Sequence, residues 1–410
     1  MAEVAVGDAT KAAPSSSPLA GVEVVDFSHA AAGPFCTQHL GDMGAQVIKI
    51  EPPDGDMLRH VDEGPSGPGM GTYFLGLNRN KRSIRLDLQT SVGREIALRL
   101  CAGADVVVEN HRPGVMERLG LDYATVRSSN PRVVYASISA FGESGPLRDK
   151  PGMDIVVQAF AGIMGLTGPS DGDPVKVGAP IADFATGYAA AMGVLAALYE
   201  RTRSGEGQRV SLSMLNVVAS LLSNCATGFL MSGIPIQRLG SAHPQIVPYQ
   251  AFRGSDGEYI VIGILNERFW KKLCAMLDAG DLASSPKFAR NADRVRNRDE
   301  LVEIVSSRIA EHPVEEWERA CEAFDVPYAR VNSLKDLFDD PQVEAQSVVL
   351  NMQDPDMGRI PAIAQPVRFS RTPADSRTAP HRLGADTAAV LREIGYSESE
   401  IQRLVDSGIV

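Results

Sequence analysis

Two aspartates with apolar neighbours, Asp154 and Asp183, are the residues of this sequence best placed to do chemistry. Asp183 ends a short apolar run, Val177–Ala182, and directly precedes a predicted helix over Thr186–Glu200. A carboxylate beside a helix N-terminus either caps that helix or acts as a working group. Asp183 is therefore a candidate for both roles.

Two residues before Asp183, Gly178 and Pro180, favour the working role. They keep large side chains out of the strand predicted there, and a helix cap would need neither of them. An aspartate can attack an activated acyl group and form an anhydride or thioester, which divides a difficult exchange into easier steps. Asp154 follows Pro-Gly-Met, a common helix start, so an N-cap role and a catalytic role both stay open for it. We predict covalent acyl chemistry on Asp183.

Common motifs of other enzyme classes do not occur in the sequence. It contains no P-loop, G-x-G-x-x-G, H-E-x-x-H or G-x-S-x-G motif, so nucleotide hydrolysis, dinucleotide redox chemistry, zinc proteolysis and serine hydrolysis lose their sequence support. The five cysteines show no metal-like spacing. We expect no metal site, free thiols and a cytoplasmic location.

Basic residues gather in predicted turns, although the formal net charge is −11. That charge argues against nucleic acid as a partner but leaves room for a local phosphate site. Residues 77–83 place Arg79, Lys81 and Arg82 in a turn before a strand, where they either hold phosphate oxygens or form a solvated charged turn. Further cations lie on loops that are predicted along the same edge of the sheet, namely Arg112, Arg118, Arg148 and Lys150.

Apolar runs alternate with amphipathic helical patterns in the first third of the chain, which predicts a mainly parallel α/β sheet with helices on both faces. The predicted strands cover residues 21–28, 45–51, 81–88, 105–110 and 132–141, and the helices between them cover 35–43 and 91–104.

Polar residues follow several of these strands: Ser28-His29 follows the first, Glu51 the second, and Asn110–Gly114 a later one. Each group alone could be turn chemistry. Ligands of parallel sheets bind at the carboxyl ends of the strands, so three such groups at one edge favour a site.

The domain organisation follows from shifts in pattern along the chain. Residues 19–225 predict a large domain and 226–333 a smaller α+β domain. Residues 334–410 are rich in loops and then helical over 386–394 and 398–406, which we expect to complete the large domain. Residues 1–18 are interpreted as a disordered leader. No membrane span is expected, because the most apolar window, Tyr188–Leu198, is too short.

The sequence also resembles the class III CoA-transferases, the CaiB/BaiF family. This family includes formyl-CoA:oxalate CoA-transferase and, as a divergent branch, α-methylacyl-CoA racemase. The resemblance runs from about Leu19 to the C-terminus. It is carried by GVEVVDFS…AGPF, GAQVIKIEPPDGD, LNRNKRSIRLDL, DVVVENHRPGVMERLGL, NPRVVYASISAFGESGP, PGMD, PIADFATG and GEGQRVSLSML.

The resemblance implies a Rossmann-like large domain built from both chain ends, a small domain between them, and a homodimer of interlocked rings. It implies an enzyme of acyl-CoA metabolism that transfers coenzyme A from an acyl-CoA to a carboxylic acid, with Asp183 as nucleophile and Asp154 near the acyl group. The residues expected to line coenzyme A are His29, Ala30, Ala31, Leu77, Asn78, Asn80, Lys81, Arg82, Asn110, His111, Arg118, Arg148 and Lys150.

The sequence departs from the family pattern at several points. Residues 243–263 lack the run of glycines that closes the formyl-CoA transferase site, and Pro52 replaces a basic residue. The racemase branch carries a histidine before its aspartate where this chain has Met153, and it uses a second histidine upstream, yet none lies between His111 and His243.

Two alternatives to CoA transfer therefore stay open: a 2-methylacyl-CoA racemase acting by α-proton exchange, and a non-catalytic acyl-CoA-binding protein. Loops recognise the acyl group and the acceptor, so residue types along the sequence do not identify either of them. We expect a small acid, a dicarboxylate among the candidates, because Arg148 and Lys150 are predicted near the acyl end.

Overall fold

The computed structural model describes residues 17–62, 64, 67–374 and 378–410, so most of the predicted leader lies outside the described residues. The chain divides into two compact units. The larger contains residues up to Ala161, Gly178–Leu221 and Gln346–Val410, and the smaller contains Gly162–Val177 and Leu222–Ala345. Residues 162–177 and 334–345 thus group with the smaller unit, which differs from the predicted boundaries.

The larger unit is organised around a parallel sheet, as predicted, with six strands among the described residues in the order β3-β2-β1-β4-β5-β6. This is the strand order of a Rossmann fold, with its reversal point between β1 and β4. The strands are β1 (Glu23–Asp26), β2 (Gln46–Glu51), β3 (Lys81–Arg85), β4 (Val106–Glu109), β5 (Val134–Ser139) and β6 (Arg209–Ser213).

The edge strand β6 was not predicted, because its sequence, RVSLS, alternates and only partly buries its residues. It therefore lacks the continuous apolar run that marks the inner strands of a parallel sheet. It pairs with β5, with Ala136 opposite Val210.

Helices cover both faces of the parallel sheet. The same unit also contains a separate antiparallel hairpin, formed by β10 (Val349–Asp354) and β11 (Gly358–Ile363). A 3-10 turn spans Met57–Arg59. With labels in chain order, the helices are α1 (Ala32–Asp42), α2 (Thr72–Leu77), α3 (Ser91–Gly103), α4 (Val115–Leu119), α5 (Tyr123–Ser129), α6 (Asp154–Phe160), α8 (Ile181–Ser204), α9 (Met214–Leu221), α18 (Thr387–Glu393) and α19 (Glu398–Asp406).

The smaller unit has an antiparallel sheet in the order β7-β8-β9, formed by Tyr249–Arg253, Tyr259–Gly263 and Tyr328–Arg330. Its helices bury Trp270, Leu301 and Val314 in a core of their own. They are α7 (Ile163–Leu166), α10 (Ser223–Ser232), α11 (Glu267–Met276), α12 (Gly280–Ser284), α13 (Asn291–Arg296), α14 (Arg298–Ile309), α15 (Val314–Phe324), α16 (Leu334–Asp339) and α17 (Pro341–Ala345). Residues 216–232 have a helical sequence pattern throughout, but they form two helices, α9 and α10.

The predicted C-terminal helices pack on one face of the parallel sheet. Val390 on α18 and Ile401 on α19 share a buried cluster with Val25 of β1 and Ile84 of β3. Both chain ends therefore build the larger unit. The opposite face is covered by α1 and α8, whose Leu40, Ala190 and Val194 pack together with Val106 and Ile138 of the sheet.

Helix α8 is longer than predicted, and the strand expected over Val177–Ala182 does not form. Pro180 cannot donate a backbone hydrogen bond and stands at the N-cap, so the helix begins directly after it. At the other end the left-handed Gly205 stops it. Asp183 is consequently inside the first turn of α8 and not ahead of the helix.

A close approach of α8 to α1 fixes the position of that first turn. A Cβ atom on Gly187 would lie 2.8 Å from the backbone oxygen of Ala32 and 2.9 Å from the ring of Phe35. Only glycine fits such a crossing. By length and composition α8 could also cross a membrane, although the buried core helix of a globular unit passes the same test.

The buried histidine His39 on α1 is expected to make the stability of the larger unit depend on pH. Its ring is buried between the rings of Phe35, with centroids 4.4 Å apart, and Tyr188, with centroids 4.7 Å apart. Burial lowers the pKa of His39 to about 4. The unfolded chain binds this proton near pH 6.5, so stability is complete above that pH and is lost as the pH falls from 6.5 towards 4.

We predict that His39→Phe, which keeps the ring contacts and removes the proton site, lessens the loss of unfolding free energy between pH 7 and pH 5 by about 2 kcal/mol. Denaturant unfolding at both pH values measures this difference. An unchanged loss in the variant would contradict the assignment of this acid sensitivity to His39.

Candidate active site

Asp183 stands at the third position of α8, half-buried, and its carboxylate receives no hydrogen bond from any residue that the structure describes. Burial and the neighbouring Asp154 carboxylate raise the pKa of Asp183 to about 7. A surface cap would instead accept backbone hydrogen bonds and keep a low pKa. The geometry thus favours the working role for Asp183 over the capping role.

Asp154 performs the capping, but for α8 and not for its own helix. It is the first residue of α6, whose N-cap is Met153. Its Oδ1 atom accepts hydrogen bonds from the backbone N–H groups of Ala182 at 2.8 Å and Asp183 at 3.4 Å, and its Oδ2 atom accepts one from Gln158 at 2.6 Å. Asp154 therefore holds the backbone that carries Asp183.

Tyr73 on α2 is a further residue of this site, and the sequence analysis missed it. Burial and the charges of Asp183 and Asp154 raise the pKa of Tyr73 to about 12, so its phenol keeps the proton and can donate a hydrogen bond. Beside it, the ring of Phe184 packs against the ring of Phe35 with centroids 4.7 Å apart. Together with the ring of Tyr73 they form an apolar wall, which Tyr73 brings within electrostatic reach of both carboxylates.

The loops after β1 and β4 meet at the reversal point of the sheet, as predicted from their polar residues. The N–H group of His29 donates to Oδ1 of Asn110 at 2.9 Å, and Nδ2 of Asn110 donates to the carbonyl oxygen of His29 at 2.7 Å. The rings of His29 and His111 lie 4.9 Å apart. This reversal point is where doubly wound folds bind their ligands.

Two cations of the basic turn at 77–83 are buried and bound to carboxylates of the protein. Arg79 is buried and forms two hydrogen bonds with Asp42, at 2.9 and 2.6 Å. Lys81 is buried and pairs with Asp26 at 3.2 Å. Protein carboxylates hold both side chains, so Arg79 and Lys81 are not part of a solvated charged turn.

The other members of the turn are similarly engaged. Arg82 pairs with Glu393 at 2.7 Å, Asn78 accepts a hydrogen bond from Lys81 at 2.9 Å, and Asn80 donates to Asp42 at 2.8 Å. Leu77 is buried in the apolar cluster around Phe74. Contact with coenzyme A through the backbone of this turn stays a prediction.

The remaining predicted cations are all exposed. Arg112 and Arg148 line a cavity of about 190 Å³ beside the carboxyl ends of β4 and β5. Arg118 lies on α4. Lys150 lies 5.8 Å from the ring centroids of both Phe141 and Phe160.

The cavity also contains residues that sequence reasoning did not single out, Arg209 and the buried Glu109. Burial raises the pKa of Glu109 to about 7, although the N–H group of His111 donates to it at 2.8 Å. Arg209 forms an ion pair with Glu143 at 2.6 Å. No group of three or more metal-ligating side chains occurs in the part of the chain that the structure describes.

The family model of CoA-transferase family III matches residues 19–387. The chain belongs to CoA-transferase family III. The succinyl-CoA:glutarate CoA-transferase of Mus musculus is 38% identical over 398 residues, covering 97% of this chain and 91% of the mouse protein. The acetyl-CoA:oxalate CoA-transferase of Acetobacter aceti is 34% identical, covering 95% of this chain and 99% of that protein.

A solved structure of this CoA-transferase family superimposes on nearly the whole chain. A CaiB/BaiF family protein from Brucella suis has a TM-score of 0.83 and 36% sequence identity, and it covers 92% of this chain and 100% of its own. The resemblance stated from the sequence motifs is thereby confirmed. The roles of individual residues remain predictions.

The electrostatic coupling of the two aspartates has a measurable consequence. In Asp154→Asn the like charge is lost while the side-chain oxygen can still cap α8, so we expect the pKa of Asp183 to fall from about 7. A ¹³C NMR titration of carboxyl-labelled aspartate measures it, with the resonance assigned by its absence in Asp183→Asn. A midpoint that stays near 7 in the Asp154→Asn protein would contradict the coupling.

Proposed function

We propose that the protein transfers coenzyme A from an acyl-CoA to a carboxylic acid through covalent intermediates on Asp183. The proposal rests on the surroundings and the pKa of the Asp183 carboxylate. It lies beside an apolar wall, receives no hydrogen bond within the described residues, and has a pKa raised to about 7. A carboxylate without donors is a stronger nucleophile than a solvated one, and it is ionised in a large fraction of molecules near neutral pH.

The proposed reaction begins when an oxygen of Asp183 attacks the thioester carbonyl carbon. The C–S bond breaks, coenzyme A leaves as the thiolate, and a mixed anhydride joins Asp183 to the acyl group. The thiolate then attacks the Asp183 carbonyl carbon, which releases the donor acid and forms an aspartyl-CoA thioester. The acceptor carboxylate repeats these two steps in the opposite direction, so Asp183 and the new acyl-CoA are the products.

Neighbouring residues support these steps. Asp154 holds the first turn of α8 by accepting from the N–H group of Ala182 at 2.8 Å, so the nucleophile stays fixed while its acyl partner changes. Negative charge develops on the carbonyl oxygen when the carbonyl is attacked, and a neutral phenol is a suitable donor to it. The proposal assigns this donation to Tyr73, whose pKa is raised to about 12 by burial and by the carboxylates of Asp183 and Asp154.

The names of the relatives support a dicarboxylic substrate class. Proteins 38% and 34% identical to this chain are named for succinyl-CoA with glutarate and for acetyl-CoA with oxalate, and a 36% identical one for succinyl-CoA with mesaconate. We propose a small dicarboxylic acid as the acceptor, with succinyl-CoA as the first donor to test. A preference for long or branched aliphatic acids in a donor and acceptor screen would contradict this.

The racemase alternative has less support. Racemisation needs two groups that exchange an α-proton, and the group coupled to Asp183 is another carboxylate, Asp154. His111 instead lies against His29 at the reversal point of the sheet, and burial lowers its pKa to about 4. Exchange of the α-proton of 2-methylacyl-CoA in deuterium oxide without an acceptor acid would favour the racemase.

The proposal includes a homodimer of interlocked rings in the cytoplasm, as the family likeness implies. Exposed apolar side chains support a partner surface on α8, where Met192 is 69% and Tyr199 68% exposed. Within the smaller unit, Leu230 and Met231 on α10 are 79% and 85% exposed. Free thiols, among them Cys36 and Cys101, support a reducing compartment.

We predict that sedimentation equilibrium at micromolar concentration gives twice the chain mass of 43.9 kDa. Rings that are linked should not exchange subunits, so mixing tagged and untagged protein should yield no mixed dimers without unfolding. A mass of a single chain, or rapid mixing, would contradict the interlocked arrangement.

The covalent step is tested by trapping. After incubation with succinyl-CoA and then hydroxylamine, we expect a hydroxamate on Asp183, found by peptide mass spectrometry. Asp183→Asn should lower kcat by on the order of 10³-fold. Asp105→Asn is the matched control, because Asp105 precedes β4 and so lies at the amino-terminal ends of the strands, opposite the ends where the site is predicted. Tight binding of coenzyme A without adduct or turnover would support a non-catalytic binding protein instead.

A further inference from the structure

Buried side chains hold the backbone of the loop from Ser28 to Ala31, which follows β1. The N–H group of Ser28 donates to Asp26 at 2.9 Å, and the carbonyl oxygen of Ser28 accepts from Nζ of Lys49 at 2.8 Å. Asn110 binds both backbone polar groups of the next residue, His29. Asp26 ends β1, Lys49 lies beside it on β2, and Asn110 follows β4, so three neighbouring strands hold the loop.

The next residue, Ala30, has a φ angle of +58° and is therefore in the left-handed region. Residues with a Cβ atom rarely adopt this conformation because the Cβ approaches the carbonyl oxygen too closely. Such backbone strain persists only where surrounding contacts impose it, and it concentrates at functional sites. The contact available here is the hydrogen bond from the N–H group of Ala30 to Oδ1 of Asp56, at 3.3 Å.

Asp56 is itself rigidly held. Its Oδ1 atom also accepts from the N–H group of Leu58 at 3.0 Å, its own N–H group donates to Glu51 at 3.0 Å, and its Oδ2 atom lies 2.9 Å from Nζ of Lys49. Asp56 and Lys49 are both almost completely buried. Lys49 therefore binds Asp56 and the carbonyl oxygen of Ser28 at once, which links the two ends of the strained turn.

We propose that Asp56 is a positioning residue for coenzyme A: it holds Ala30 in the left-handed conformation that gives the loop from Ser28 to Ala31 its shape. The inference rests on the proposed function, in which this loop lines coenzyme A. Asp56 touches neither the reacting atoms nor Asp183. Its effect should therefore appear in coenzyme A affinity and much less in kcat.

The loop has little room to compensate for the loss of Asp56. A Cβ atom on Gly33 would collide with the side chain of Ser28, so the start of α1 packs directly on the loop. When Ala30 leaves the left-handed region, the shift passes to His29 and to the first turn of α1. The proposed binding surface then changes shape as a whole.

The test compares Asp56→Ala, Asp56→Asn and Ala30→Gly in the full-length protein. Calorimetry with free coenzyme A gives Kd, and turnover with succinyl-CoA and glutarate gives KM and kcat. Asp56→Ala should raise Kd about tenfold, or about 1.4 kcal/mol, with kcat changed less than about threefold. Asp56→Asn keeps an acceptor for Ala30 but loses the charge that pairs with Lys49, so its Kd should lie between those of the wild type and Asp56→Ala.

A rescue experiment separates positioning from general destabilisation. Glycine adopts the left-handed region without strain, so adding Ala30→Gly to Asp56→Ala should restore Kd to within about threefold of the wild type. Asp105→Ala is the control, because Asp105 likewise binds one backbone N–H group, that of Glu23, and one cation, Arg201, but at the opposite edge of the sheet. Its Kd should equal that of the wild type.

Ala30→Val gives a second route if Asp56→Ala does not fold, because it leaves the buried charges intact and makes the left-handed conformation more costly. It should also raise Kd about tenfold. The inference is overturned if Ala30→Val binds like the wild type, if Asp56→Ala matches Asp105→Ala, or if Ala30→Gly gives no rescue. A wild-type protein that binds no coenzyme A overturns the proposed function too, whereas normal wild-type binding with unaffected variants overturns this inference alone.

Discussion

Buried ion pairs at the carboxyl edge of the parallel sheet are the constraint on which the rest of the larger unit depends. Burial alone would raise the pKa of Asp26, but Lys81 and Lys49 lower it, so the carboxylate stays charged inside the protein. Such pairs add little net stability, because desolvation offsets their attraction, yet removing one partner leaves a costly unpaired charge. They therefore act mainly by specifying which segments meet, and here Lys81 joins Asp26 of β1 and Pro34 of α1 to Asn78 in the turn before β3.

The surroundings of the candidate nucleophile, Asp183, differ from those of the carboxylates in this network. Every buried carboxylate around the β1 loop has cations or N–H donors. The Asp183 carboxylate instead receives no hydrogen bond within the described residues, and its neighbours are an apolar wall, the neutral phenol of Tyr73 and a second carboxylate, Asp154. Asp154 takes the exposed N–H groups of α8 that would otherwise have been available to Asp183. The same helix end can thus be capped and still present a carboxylate without donors, which is the condition for covalent chemistry at neutral pH.

Local sequence patterns predicted the helices and strands well, but they did not predict which distant side chains form ion pairs. The strands β1 to β5 and the helices α3, α18 and α19 were predicted within a few residues, because their apolar periodicity is local. For Arg79 and Lys81 a phosphate contact and a solvated turn both stayed open, since nothing in the turn itself indicates that Asp42 and Asp26 lie beside them. Those partners are 37 and 55 residues away in sequence, and only the parallel pairing of β2 with β1 and β3 brings them together. The same limit explains why Tyr73 and Asp56 were missed.

The sequence by itself determined the family, the parallel α/β class, the reversal-point loops at His29 and Asn110, and the choice of Asp183. These rest on residue types and spacings that can be read along the chain. Only the tertiary structure decided that α8 starts before Asp183, that Asp154 caps it, and that the basic turn is buried. The physical reason is that burial and charge pairing are properties of the folded neighbourhood. A carboxylate or a lysine has the same local sequence signal whether its neighbours are water, a backbone N–H group or an opposite charge.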